Sequence, residues 1–145
     1  MGKFRAQMVA GTHCRVMTRQ GLGKSPIAEL ALGDLVYSVD DDAVVLVPIV
    51  RVGQTPVTNH RVARITTTDG RVLEISPGHP TADGRSFGDL RAGTRLDGVV
   101  VESAEMVPYM HAYTHDILPA SKSGTYFAAG MLIGSTLTMT EGDIQ

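Results

Sequence analysis

Arg71-Val72-Leu73-Glu74-Ile75-Ser76-Pro77-Gly78-His79-Pro80, continued by Thr81-Ala82-Asp83-Gly84, is the stretch that decides the fold. Apolar residues Val72, Leu73 and Ile75 alternate with exposed ones, which predicts a strand, and Pro77-Gly78 ends it in a turn. A hydroxyl at Ser76 and an imidazole at His79 are thereby held three residues apart at a strand end. Immediately upstream, Asp69-Gly70 sits between two strand-like runs, residues 60–68 and 71–75, and is the strongest short hairpin signal in the chain.

Outward from that hairpin, the same vocabulary repeats. Residues 44–52 read as a long strand in which Pro48 marks an edge or bulge. Asp40-Asp41-Asp42 reads as a solvated hairpin tip, because no spaced set of oxygen ligands follows that would make it a calcium loop. Residues 27–32 form a short helical or extended turn, a Gly33-Asp34 corner follows, and a strand runs on to Asp40. Residues 14–18 are a short strand and residues 19–26 a turn, by their glycines and Pro26. Downstream, residues 99–101, 106–110, 113–118 and 126–133 supply further strands, the last two flanking a Ser-Lys-Ser-Gly turn. Many short strands separated by turn signals predict an all-β domain. Residues 27–36 also align with residues 87–96 at an offset of sixty, which predicts two related halves.

With 145 residues, 43% of them hydrophobic, the chain suits one compact domain with a full core. A formal charge of −2, with basic residues scattered singly, leaves no footprint for nucleic acid or an acidic membrane surface. The opening residues lack the apolar run of a secretory signal, and no later segment approaches the roughly 18 apolar residues of a membrane span. One cysteine, Cys14, excludes an internal disulfide framework and leaves the compartment open. Gly23-Lys24-Ser25 resembles the end of a phosphate loop. However, Thr18 stands where the first glycine is needed, and Pro26 falls inside the helix such a loop must open, so nucleotide binding is rejected. His111 and His115 are four apart, as zinc ligands on a helix would be, but Tyr113 and Ile117 fit an extended segment better, and no metal site is assigned.

Taken in order, these pieces resemble the Hint domain, shared by inteins and the autoprocessing domain of Hedgehog proteins. The resemblance covers about residues 14–137. In that family a cysteine opens the domain, a Thr-x-x-His or Ser-x-x-His ends a strand that follows a Gly-Arg turn, and an aspartate precedes a closing Tyr-Phe-Ala-x-Gly-x-Leu strand. Here these are Cys14, Ser76-Pro77-Gly78-His79 after Asp69-Gly70-Arg71, Asp116 within Thr114-His115-Asp116-Ile117-Leu118, and residues 126–133. The C-terminal junction departs from the intein pattern of His-Asn followed by a nucleophile, since Gly134-Ser135-Thr136 stands there. A cholesterol acceptor is not expected, because no sterol-recognition segment is seen in the residues after the last strand.

The resemblance implies a horseshoe of short strands in two pseudo-symmetric halves. It divides the chain into an N-terminal flank at residues 1–13, the Hint domain at 14–137 and a tail at 138–145. It further implies an N-to-S acyl shift at the His13-Cys14 bond that cleaves off the flanking polypeptide without splicing. In that scheme His79 protonates the leaving nitrogen, Ser76 orients the peptide, and Asp116, held away from water, takes the thiol proton. The implied partner is the polypeptide fused upstream, in cis, with water or another nucleophile as acceptor, no cofactor, and a monomeric domain. Two alternatives stand beside it: an inactive Hint-fold interaction module, and a metallohydrolase built on His79, His111 and His115.

Overall fold

The computed structural model describes residues 13–18 and 21–138. Residues 1–12, 19–20 and 139–145, and with them most of the expected flank at 1–13 and tail at 138–145, lie outside the described residues. Among the described residues eleven strands run in chain order: β1 His13–Thr18, β2 Gly21–Pro26, β3 Leu35–Asp40, β4 Ala43–Pro56, β5 Arg61–Thr67, β6 Val72–Ile75, β7 Arg95–Leu96, β8 Val99–Pro108, β9 Tyr113–Pro119, β10 Tyr126–Ala128 and β11 Met131–Ile133. They form a seven-stranded sheet ordered β11-β10-β1-β3-β4-β9, with β2 also on β1, and a four-stranded sheet ordered β6-β5-β8-β7. Every pairing is antiparallel.

The expected hairpins are present. Asp41 and Asp42 both take positive φ at the tip between β3 and β4, a conformation that aspartate tolerates better than most residues. Pro48 pairs with Leu35, and the β4–β9 register slips between Ile49 and Arg51, one residue beyond the proline. The Asp69-Gly70 hairpin joins β5 to β6 with Gly70 at φ 90°. Its turn is latched by Thr67 Oγ1 and Arg71 Nε, both donating to the Asp69 carboxylate. The same Thr-x-Asp-Gly-Arg sequence recurs at residues 81–85 with the same contacts. There Arg85 and Thr81 hold the Asp83 carboxyl down at about 2.

The duplication is real in three dimensions. Single 3-10 turns occupy Ile27–Glu29 and Phe87–Asp89, sixty residues apart, each closed by a leucine N–H on the first residue's carbonyl at 3.2 Å. Gly33 N–H then donates to Ile49 O at 2.9 Å and Gly93 N–H to Val101 O at 2.8 Å. Both glycines sit near φ 90°, where a side chain would be strained.

Three expectations are corrected. Residues 21–26 are a strand, because Gly21 through Pro26 pair one for one with Thr18 back to His13. Residues 99–101 and 106–110 belong largely to one strand, since β8 ladders on β5 from Val101 through Pro108. Residues 126–133 are two strands rather than one, for Ala129 and Gly130 have positive φ and fold β11 back on β10. The core that joins the sheets contains Ile27, Ile49, Ile65, Ile75, Phe87, Ile117, Tyr126 and Ile133, and Cys14 is part of it.

Candidate active site

Cys14 enters the site from β1, where its backbone is matched with Ser25 on one side and Ala128 on the other. The thiol has 0% exposure. Burial first, and then the negative charge of Asp116, push its pKa up to about 12. A thiol in this environment is protonated at neutral pH and needs a base to become a nucleophile.

Asp116 lies on β9 between His115, half-buried, and Ile117, and its carboxyl is buried by the inward alternation of that strand. One oxygen accepts from the Tyr126 hydroxyl and, at 2.8 Å, from Ile117 N–H. The other accepts from Thr136 N–H at 2.7 Å, Thr136 Oγ1 at 2.6 Å and Ser135 Oγ at 3.3 Å. Ser135 Oγ also donates to Ile117 O at 2.7 Å. Asp116 therefore links the surroundings of Cys14 to residues 135 and 136. Tyr126 is fully buried between the two, and burial, with the charges of Asp116 and Cys14, raises its phenol well above the ordinary range.

The turn that ends β6 carries the other half. His79 N–H donates to Ser76 O at 3.0 Å, so Ser76 and His79 lie at the two ends of one β-turn. Both side chains are buried. His79 Nε2 lies 2.7 Å from Gly134 O, and because a carbonyl only accepts, that nitrogen carries the proton. Gly134 N–H in turn donates to Pro80 O at 3.1 Å. A Cβ at Gly134 would meet Thr81 O at 3.2 Å and the Pro80 ring at 3.3 Å, so the chain after β11 is pressed against the turn. Arg71 reinforces this by donating from its guanidinium to Gly130 O in the β10–β11 turn.

Folding thus places Cys14 within the field of Asp116, and His79, at the end of the turn that Ser76 begins, against Gly134. Several participants were not picked out by motif reading. His60, one residue before β5, places Nε2 2.8 Å from Ser76 Oγ. Tyr126 was legible only as part of the closing strand, and Thr136 only as a neighbour of the junction. The metallohydrolase alternative is corrected: His111 is an exposed loop residue whose ring lies tilted against Tyr109, His115 sits on β9, and no group of three metal-ligating side chains occurs among the described residues. Alternation along β9 sends His115 away from the buried face that carries Asp116.

This architecture is that of the Hint domain. Among solved structures it is similar to a DnaB intein from Synechocystis sp. PCC 6803, with a TM-score of 0.73 and 12% identity over 91% of this chain and 99% of that one. The gp41-1 intein superimposes with a TM-score of 0.67 and 21% identity over 90% and 98% of the two chains. The PabCDC21-1 intein gives 0.75 and 14% over 90% and 98%. No protein-family model and no curated protein matches the chain by sequence. The chain has an intein-like Hint fold, at an identity where few side chains are shared.

Proposed function

We propose that this domain processes itself: Cys14 Sγ attacks the carbonyl of residue 13, converts the His13-Cys14 amide into a thioester, and so releases the polypeptide ahead of it. The observation that carries this is the placement of the sole cysteine in the buried centre of the fold, beside Asp116 and on the strand next to β10. Asp116 is the base that takes the thiol proton, and Ser76 orients the scissile peptide. His79, which donates Nε2–H to Gly134 O, is the imidazole that supplies a proton to the departing nitrogen. Water or an added nucleophile then resolves the thioester.

The test is a fusion with a reporter ahead of His13, incubated with and without dithiothreitol or hydroxylamine. Thiol-induced release with a new N-terminus at Cys14 supports the acyl shift. A folded fusion inert to both reagents favours the interaction module.

Asp116→Asn is expected to slow release about 10²-fold at pH 7, the scale of lost general-base help. The amide cannot accept the thiol proton, and its NH₂ would face donors now satisfied by the carboxylate. Alkali should restore part of the rate. Removing the charge removes the second of the two causes that hold the thiol at about 12, so thiolate forms at a lower pH in the variant. Parallel pH–rate profiles for wild type and variant would assign activation to another base.

At the C-terminal end no splicing is expected. Release of a downstream partner in the splicing manner needs a side-chain amide that closes on its own carbonyl, and Gly134-Ser135 has none. Distinguishable reporters on both ends, read by mass spectrometry, should yield one cut, before Cys14. A ligated product lacking the domain, or a cut after Ser135, overturns this. Introducing His-Asn at 134 and 135 should permit some C-terminal cleavage only if Pro80 and Thr81 yield to the new Cβ.

A further inference from the structure

His60 belongs to no motif of the site, yet it reaches into it. Its backbone is anchored by Tyr109 N–H donating to His60 O at 2.8 Å, and its ring meets the Tyr109 ring edge to face at 6.1 Å. From that seat Nε2 lies 2.8 Å from Ser76 Oγ, itself 2% exposed and at the head of the turn that carries His79. We propose that His60 is a positioning residue for the acyl shift, fixing the direction in which the Ser76 hydroxyl proton points. This rests on the self-processing reading above and extends it to a residue outside the four first named.

A serine hydroxyl has one proton and two lone pairs. When His60 Nε2 carries hydrogen, Ser76 Oγ accepts from it, and the serine proton is free for another acceptor, which the proposed step makes the carbonyl oxygen of residue 13. Burial disfavours the charged imidazole, and of the two neutral tautomers the one hydrogenated at Nε2 is the form the assignment requires. In the step itself, the Cys14 Sγ–C bond to residue 13 forms and the C–N bond to Cys14 breaks. The thiol proton is taken up by Asp116, the leaving nitrogen gains one from His79, and the two exchange back to their starting states with solvent. No redox partner is required. Charge builds on the carbonyl oxygen at the tetrahedral stage, where an oriented donor matters most, and loss of one such donor costs on the order of 10²–10³-fold in other acyl-transfer sites.

The experiment measures thiol-induced release from the full reporter fusion for wild type, His60→Ala, His60→Gln, Ser76→Ala and the double variant H60A/S76A, with folding followed by circular dichroism. His60→Ala should slow release about tenfold or more, a part of the donor effect. His60→Gln, whose side-chain NH₂ can donate to Ser76, should recover most of it. The double variant should be no slower than S76A alone, because His60 acts only through Ser76. Folded H60A at the wild-type rate, failure of glutamine to rescue a folded H60Q, or additive losses in the double variant each overturn the assignment. A wild-type fusion inert to thiol and hydroxylamine sinks the acyl shift and this assignment together, whereas a cleaving wild type with an unimpaired H60A sinks the assignment alone.

Discussion

Cys14→Ala abolishes release of the upstream polypeptide while the domain stays folded; this is the largest effect expected of any single change. The covalent route runs through one sulfur, and no second cysteine exists to replace it. The side chain is small and lies in a core also built from Ile27, Ile49, Ile75, Phe87, Ile117 and Ile133. Deleting one sulfur there leaves a cavity costing about 1 kcal/mol, well below a Leu→Ala truncation, against the roughly 5–15 kcal/mol of a typical domain. Cleavage is read by gel and folding by circular dichroism. Release at the normal rate from a folded Cys14→Ala protein ends the proposal. The buried thiol carries a companion signature: it should resist alkylation at neutral pH and gain reactivity as the pH climbs toward about 12.

His79→Ala comes next, with an expected loss of 10²–10⁴-fold in thioester formation, the range for a positioned proton donor. Two functions go with the ring. The leaving nitrogen loses its proton source, and Gly134 O loses the Nε2–H that holds it at 2.7 Å. The second loss loosens the segment after β11, but Gly134 N–H on Pro80 O and the Thr81–Ile133 bridge still hold it, so the fold should survive. Reporter release after thiol addition measures the rate. A loss of less than about threefold, far below that range, would move the donor elsewhere. The hydrogen bond to Ser76 then favours His60 over exposed His111 and over His115, which makes no contact with that turn's serine.

Much of the architecture was legible locally. The Asp40-Asp41-Asp42 and Asp69-Gly70 hairpins, the Pro48 irregularity and the sixty-residue repeat all follow from residues with strong backbone preferences. Where those preferences are weak, the reading failed. The glycines of residues 21–26 suggested a turn, but glycine also accepts a strand when a neighbour supplies the ladder, and β1 does. Ala129-Gly130 was passed over because alanine rarely signals a turn, although here it takes φ 52°.

For the site, residue types alone identify the side chains with the right chemistry: one thiol, a hydroxyl and an imidazole spanning a tight turn, and a carboxylate on an apolar strand. They also exclude a side-chain amide at the C-terminal junction. Only the tertiary structure decided their company. Cys14 and Asp116 stand 102 positions apart in the chain, and His60 and Ser76 sit on different segments joined through β5 and β6. Contacts of that kind leave no periodic trace, because they depend on strand register and sheet order rather than on neighbouring residues. The elevated thiol and phenol, the grip of His79 on Gly134 and the tie from Asp116 to Thr136 arise only when the two sheets close and exclude water from the groups between them.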